Sequence, residues 1–193
     1  MIDILTRFRE KLKNVIKPIA TTLAKAEVGP NMITIAGFLV AAATPIATLY
    51  LYYIGYIVFV LLSAGLDALD GEIARIRGEV SKLGAFLDSF LDRVSDVFYI
   101  YSLIYLGLDS VIAIILIVLS ILISYSRARA EGLGVAVEGV GLMERGERVI
   151  ALVVIVAISY FYRGFLLIGS LILVALLFYT LAERVYHIIK LLR

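Results

Sequence analysis

The sequence predicts an all-α integral membrane protein with six transmembrane helices, preceded by an amphipathic helix in the membrane interface. Of its 193 residues, 62% are hydrophobic, whereas soluble domains contain about 45–50% apolar residues. The mean hydropathy is +1.02 and only 18% of residues are charged, which excludes disordered and nucleic-acid-binding proteins. The length allows about one domain. Residues 1–193 are therefore expected to form a single membrane domain, with the interfacial helix at 1–27 and the six-helix bundle at 28–193.

The number of spans follows from the stretches that carry no charge. No charged residue occurs from Val28 to Leu66, a length that accommodates two spans of about 20 residues each. The aromatic turn at residues 52–56 divides this stretch. Four further uncharged runs follow: Val97–Leu108, Ser110–Ser126, Val149–Tyr162 and Gly164–Ala182. Several of these runs are too short to span a membrane, so their charged extensions are expected to continue the same helices and to line something other than lipid.

The basic residues predict the orientation. With six spans, Arg163 is alone among the lysines and arginines in lying on the far side. By the positive-inside rule the other side is the cytoplasm, which places both termini there in a multi-pass protein of the cell membrane. Within residues 1–27, apolar residues recur at spacings of three and four with basic residues between them. This pattern predicts an interfacial helix, bent at Pro18, and not a cleaved signal.

Five aspartates occur where apolar runs meet the predicted cytoplasmic face: Asp67, Asp70, Asp88, Asp92 and Asp96. The first two are three residues apart and the others four apart, so each set projects from one face of its helix. A short turn around Gly78 would bring the two faces together. Clustered carboxylates repel one another, and hard cations relieve this repulsion, which predicts Mg²⁺ or Mn²⁺ and, from the number of carboxylates, two ions. The alternative is simple pairing of the aspartates with nearby cations: Arg75, Arg77, Lys82 and Arg93.

Residues 67–92 read DALDGEIARIRGEVSKLGAFLDSFLD and fit the pattern D-x2-D-G-x2-A-R-x8-G-x3-D-x3-D without a departure. This segment resembles the signature of the CDP-alcohol phosphatidyltransferase family. The resemblance extends to the interfacial helix and the six spans. It implies an Mg²⁺- or Mn²⁺-dependent membrane enzyme acting on a CDP-activated lipid. It also implies that Asp67, Asp70 and Asp88 are metal ligands, and that Asp92 is both a ligand and the general base.

The same resemblance implies a binding site for the CDP part of the donor. Gly71 and Arg75 would contact CDP, with Ser81 as a polar neighbour in the connecting turn. The segment Pro30–Thr34 is similar to the family's entry into the first helix, which faces the nucleotide; the residues expected there are Asn31, Met32, Ile33 and Thr34. The alternative for this segment is an ordinary helix start with Asn31 as its cap.

A second set of charged residues lies between the fourth and fifth predicted spans, in the segments Tyr125–Glu131 and Gly141–Arg148. Both segments resemble the branch of the family that makes phosphatidylinositol phosphate or its archaeal counterpart, archaetidylinositol phosphate. The resemblance implies that the phosphate of inositol 1-phosphate is bound by three arginines: Arg127, Arg145 and Arg148. Arg129 is expected to be a topology determinant or a partner of Glu131.

The function implied is transfer of a lipid phosphate group from CDP-diacylglycerol or CDP-archaeol to inositol 1-phosphate, with release of CMP at the cytoplasmic face. The resemblance also implies a homodimer. No nucleic-acid partner is expected. Glycerol 3-phosphate, serine and free inositol are alternative acceptors. A cation transporter is the alternative from another class, although its carboxylates are expected at the midplane and within inverted repeats.

Overall fold

The computed structural model describes residues 16–137 and 139–193, and these residues form helices and connecting turns without any strand. The helices are α1 at 16–25, α2 (Pro30–Arg77), α3 (Lys82–Ser102), α4 (Ser110–Gly132), α5 (Arg145–Phe161) and α6 (Phe165–Leu192). A short 3₁₀ helix, Leu103–Leu106, follows α3. The predicted all-α class is therefore confirmed. Of the predicted interfacial helix, α1 is described, and residues 1–15 lie outside the described residues.

Helix α2 is broken at Tyr52, whose backbone angles (φ 51°, ψ −132°) are not helical. Its two parts, a first arm at 30–51 and a second arm at 53–77, fold back against each other. The Ser63 hydroxyl of the second arm accordingly donates a hydrogen bond of 2.7 Å to the Gly37 carbonyl of the first. Gly55 follows the break, where the Ala47 backbone occupies the space that a side chain would need. The break falls at the start of the predicted aromatic turn.

A tight turn connects the second arm to α3. Gly78 ends α2 in the left-handed region (φ 66°), which glycine adopts without strain. Ser81 then caps α3, because its hydroxyl accepts a hydrogen bond of 3.0 Å from the Gly84 amide. The second arm and α3 are consequently antiparallel neighbours, as the turn predicted around Gly78 requires. This arrangement places the acidic faces of the two helices opposite each other.

Core contacts determine how α4, α5 and α6 pack against the antiparallel pair formed by the second arm of α2 and α3. The buried Tyr99 of α3 donates a hydrogen bond of 2.7 Å to Ser63, which extends the link between the arms to a third helix. Helix α5 packs against α2 and α6, and α4 packs against α3 and α6. The N-terminal end of α5 therefore lies over the acidic faces of α2 and α3, where Arg145 contacts Asp67 and Asp92.

The surface of the bundle is apolar. Helix α6 buries one face, formed by residues such as Leu166, Leu173 and Leu177, and exposes large apolar side chains on the other, with Phe178 65% exposed. Among the described residues, α2, α4 and α6 are long and apolar enough to cross a membrane. Exposed apolar surface on this scale is typical of contact with lipid. The chain is a helical membrane protein.

Candidate active site

Three carboxylates meet between the second arm of α2 and the first turns of α3. Asp67, Asp70 and Asp88 each offer one oxygen, and these oxygens all lie within 4.8 Å of one another. Asp70 is buried, and its Oδ2 atom has no hydrogen-bond partner among the described residues. A buried carboxylate oxygen without a partner is costly. The all-oxygen donor set and this unpartnered atom fit a divalent cation such as Mg²⁺ or Mn²⁺.

Asp92 lies one turn beyond Asp88 on α3, and we refer to Asp67, Asp70, Asp88 and Asp92 as the carboxylate cluster. The first residue of α5 reaches into it. The Arg145 Nη1 atom lies 2.8 Å from Asp67 Oδ2 and 2.8 Å from Asp92 Oδ1. The contact with Asp67 is a charge-assisted hydrogen bond, which is stronger than a neutral one, and the contact with Asp92 is an ion pair. Arg145 therefore neutralises the side of the cluster that is contributed by Asp67 and Asp92.

Asp96 stands apart from the cluster. It is buried, its Oδ2 atom accepts a 3.0 Å hydrogen bond from Arg148, and its Oδ1 atom lies 3.4 Å from the Arg145 Nε atom. Simple pairing with arginine thus describes Asp96, and its partners are the two arginines of α5. One of the pairings expected from the sequence is present, because the Arg93 Nη1 atom lies 3.7 Å from Asp92 Oδ2. Arg75 and Arg77 pair instead with two glutamates, Glu72 and Glu79.

A cavity of about 190 Å³ lies beside the cluster, between the two ends of α2 and the start of α3. We call it the Gly71 cavity. Five of the seven residues expected to bind CDP line it: Asn31, Thr34, Gly71, Arg75 and Ser81. Asp70 and Asp88 also line it, so the cavity is continuous with the cluster. A Cβ atom built on Gly71 would meet no atom within 4 Å, so the backbone of α2 is open to a ligand there.

Two details of the segment Pro30–Thr34, at the start of α2, differ from the expectation. Met32 is 67% exposed, and neither it nor Ile33 lines the Gly71 cavity. The alternative of Asn31 as a helix cap is wrong, because Gly29 is the N-cap and Pro30 the first helical residue. The Asn31 side chain instead lies beside Gly84, its Oδ1 atom 3.2 Å from the position of a Cβ on that glycine.

A second cavity, of about 150 Å³, is enclosed by α3, α4, α5 and α6. We call it the arginine cavity, because five arginines line it: Arg93, Arg127, Arg145, Arg148 and Arg184. The structure therefore brings together the three arginines expected to bind the acceptor's phosphate. Two glutamates, Glu144 and Glu147, line the cavity as well. The arginines outnumber them, and guanidinium groups are suited to binding a phosphate dianion. Arg145 belongs to both this cavity and the carboxylate cluster.

Arg129 lies on a different face of α4. It lines a separate apolar groove between α4 and α6 and is absent from the lining of the arginine cavity. Pairing with Glu131 is one of the two alternatives expected for Arg129, and Glu131 instead accepts a hydrogen bond of 2.8 Å from the Arg127 Nε atom. Arg127, four positions before Glu131, is its partner because residues at that spacing share a helix face.

Arg93 and Arg184 line the arginine cavity although neither is among the expected site residues. Arg184 is buried within α6, where its Nη2 and Nη1 atoms donate hydrogen bonds to the backbone carbonyls of Val140 (2.7 Å) and Ile123 (3.0 Å). These bonds hold the connection before α5 against α4. The signal that could have identified Arg184 is a charge inside an apolar helix, because such a charge faces the interior of a bundle and needs partners there.

The fold and these cavities define a helical membrane protein in which a carboxylate cluster adjoins a cavity lined by arginines. Residues 27–186 match the model of the CDP-alcohol phosphatidyltransferase family. The chain belongs to this family, which confirms the resemblance drawn from the signature.

Named relatives and solved structures agree with this assignment. The chain is 39% identical over 170 residues to an archaetidylinositol phosphate synthase of Aeropyrum pernix, covering 88% of each chain. It is 36% identical over 168 residues to a phosphatidylinositol phosphate synthase of Mycobacteroides abscessus, covering 81% of this chain and 73% of the relative. The Mycobacterium tuberculosis phosphatidylinositol phosphate synthase with CDP-DAG bound has a TM-score of 0.76 and 28% identity, with 91% and 94% of the two chains covered. A structure of that synthase with manganese and citrate also has a TM-score of 0.76, with 29% identity and coverage of 90% and 88%.

Proposed function

We propose that this protein transfers the lipid phosphate group of a CDP-activated lipid, CDP-diacylglycerol or CDP-archaeol, to inositol 1-phosphate and releases CMP. The observation that carries the proposal is the alignment of three adjoining features: the Gly71 cavity, the carboxylate cluster and the arginine cavity. Similarity to archaetidylinositol and phosphatidylinositol phosphate synthases supports the choice of acceptor.

The donor side is assigned to the Gly71 cavity. In this proposal the CDP group is contacted by five residues of the lining: Asn31, Thr34, Gly71, Arg75 and Ser81. Met32 and Ile33 lie outside the lining, close to the lipid part of the donor. Asp67, Asp70, Asp88 and Asp92 would hold Mg²⁺ or Mn²⁺, as two ions. Bound there, divalent cations neutralise the pyrophosphate and the charge that develops on the CMP leaving group.

The chemical step is assigned to Asp92. Its carboxylate takes the proton from the acceptor hydroxyl, whose oxygen then forms a bond to the lipid-linked phosphorus while the bond from that phosphorus to the CMP oxygen breaks. A positioned base of this kind contributes about 10²- to 10⁴-fold to a rate. Asp92 is contacted by Arg145, which also lines the arginine cavity. The base is therefore adjacent to the place assigned to the acceptor.

An acceptor panel tests the proposal. Purified protein, CDP-lipid and Mn²⁺ are combined with inositol 1-phosphate, glycerol 3-phosphate, serine or free inositol, and CMP release is measured. Inositol 1-phosphate is expected to be the fastest acceptor, because serine and free inositol have no phosphate for the arginines. Faster turnover with glycerol 3-phosphate would contradict the acceptor assignment. Cation flux through proteoliposomes without CMP release would instead support a transporter.

The proposal includes a topology: one membrane domain over residues 1–193, with six spans, both termini and the active site on the cytoplasmic side, and a homodimer. The division of α2 into two antiparallel arms and the one-sided basic residues support the six spans.

Cysteine labelling tests the topology. Because the chain has no cysteine, a single introduced cysteine reports on which side of the membrane its position lies. A membrane-impermeant maleimide applied to intact cells is expected to label Arg163→Cys and not Lys190→Cys. Light scattering of the purified protein tests the dimer.

A Gly71→Ala variant is expected to fold normally and to raise the KM for CDP-lipid about tenfold or more, a loss of at least about 1.4 kcal/mol in binding. The added methyl group enters open space in the cavity, and alanine favours a helix over glycine by about 1 kcal/mol. Steady-state CMP release measures the KM. Gly65→Ala is the matched control, since Gly65 lies on the same arm, has equally open space and is outside the cavity lining. Equal KM values for the two variants would contradict the donor assignment.

An Arg127→Gln variant is expected to raise the KM for inositol 1-phosphate about 10- to 150-fold, because charge-assisted hydrogen bonds contribute about 1.5–3 kcal/mol each. The KM for CDP-lipid should change little. Arg129→Gln, two residues away on the same helix but outside the arginine cavity, should leave both values near those of the wild type. If the two variants are affected alike, the arginine cavity is not the acceptor site.

A further inference from the structure

Arg145 is shared between the two halves of the site. Its guanidinium bridges Asp67 and Asp92 at 2.8 Å each, and it also lines the arginine cavity with Arg127 and Arg148. The other arginines of that cavity are held differently: Arg148 bonds Asp96, and Arg184 bonds backbone carbonyls. Arg93, which also lines the cavity, lies 3.7 Å from Asp92. Arg145 differs from it by contacting two carboxylates of the cluster, each at 2.8 Å.

Arg145 contacts three carboxylates. Asp67 and Asp92 are assigned here to divalent cations, and the third, Asp96, lies farther away, with its Oδ1 atom 3.4 Å from the Arg145 Nε atom. Carboxylate oxygens that bind a cation lose much of their attraction for a guanidinium, and the added positive charge repels it. The arginine side chain is long, and Arg145 already borders the arginine cavity. The movement inferred below is a change of rotamer of this side chain, with α5 remaining in place.

We propose that Arg145 couples the two halves of the site. It neutralises Asp67 and Asp92 while these carboxylates hold no cation, and it turns into the arginine cavity to bind the acceptor's phosphate once cations are bound. The inference rests on the proposed function and adds an order to it, in which cations bind before the acceptor. Because coupling between two sites is reciprocal, the acceptor tightens cation binding by the same factor by which the cation tightens acceptor binding.

Calorimetry on the detergent-solubilised full chain tests the coupling, with Mn²⁺ titrated in the presence and absence of inositol 1-phosphate. Direct attraction between Mn²⁺ and phosphate persists in every variant, so the comparison is between variants. Arg145→Gln is expected to bind Mn²⁺ more tightly than the wild type when no phosphate is present. Its coupling factor should be smaller by about tenfold or more, given the strength of charge-assisted hydrogen bonds. Arg127→Gln should bind inositol 1-phosphate more weakly but keep the wild-type coupling factor.

Chemical labelling of the wild-type protein gives a second readout that needs no variant. Phenylglyoxal, which modifies arginine, is applied and the labelled sites are located by mass spectrometry. Labelling of Arg145 is expected to rise several-fold when Mn²⁺ is added and to fall again with inositol 1-phosphate, while that of the exposed Arg163 stays constant. Unchanged labelling of Arg145, or a wild-type coupling factor in Arg145→Gln, would overturn the coupling. The proposed function would fail separately, if the wild type released no CMP with inositol 1-phosphate.

Discussion

An Asp92→Asn variant is expected to lose about 10²- to 10⁴-fold in kcat, the contribution of a positioned general base. Asparagine has nearly the same shape as aspartate but accepts no proton at neutral pH, so the bundle should fold as before. The donor should still bind, because Asp92 is absent from the lining of the Gly71 cavity. CMP release measures the rate, and equilibrium binding of CDP-lipid measures the donor affinity.

The matched control is Glu183→Gln, which neutralises an exposed carboxylate on α6 and should leave kcat unchanged. Asp92 also forms an ion pair with Arg145 at 2.8 Å, so a purely structural role has to be separated from catalysis. A lower melting temperature with unchanged kcat would indicate that structural role. Turnover at the wild-type rate in Asp92→Asn would exclude Asp92 as the base.

Asp67→Asn and Asp88→Asn are expected to lose Mn²⁺ binding and activity together. Replacing even an outer partner of a metal ligand costs about 10- to 100-fold in affinity, so replacing a ligand should cost at least about 100-fold. Both residues contribute oxygens to the group that lies within 4.8 Å. Titration calorimetry with Mn²⁺ measures affinity and stoichiometry, and CMP release at saturating Mn²⁺ measures activity.

Asp96→Asn provides the contrast for this pair of variants. Asp96 is bonded to Arg148 and lies outside the carboxylate cluster. Breaking a buried ion pair costs about 3–5 kcal/mol of stability, so this variant should melt at a lower temperature while keeping its Mn²⁺ stoichiometry. Unchanged Mn²⁺ affinity and stoichiometry in both Asp67→Asn and Asp88→Asn would remove these two residues from the metal site.

The parts of the site that could be predicted are those set by local spacing. Asp67 and Asp70 share a face because they are one helical turn apart, and the turn at Gly78 brings Asp88 to them. Charged extensions continue the apolar helices as expected, with α2 reaching Arg77 and α5 beginning at Arg145. In each case the geometry of a helix or a tight turn determines the result.

The parts that could not be predicted depend on packing between distant segments. Arg145 contacts Asp67 only because α5 crosses the end of the second arm, and no local pattern contains that crossing. Arg184 meets the Val140 carbonyl across the bundle for the same reason. The orientation of Met32 is a subtler case, since adjacent positions on a helix point about 100° apart. Asn31 and Met32 therefore face different surroundings.

The fold-back of α2 at Tyr52 bears on how the protein is made. Its two arms, α3 and the turn between them contain the whole lining of the Gly71 cavity and all four carboxylates of the cluster. Contacts close in sequence form rapidly, because they need little loop closure. During synthesis from the N-terminus, the donor half can therefore assemble before Arg145 leaves the ribosome. At that stage Asp67 and Asp92 still lack the guanidinium that bridges them in the finished bundle. Arg93 of α3, whose Nη1 atom lies 3.7 Å from Asp92 Oδ2, is then the arginine of this half that pairs with the cluster.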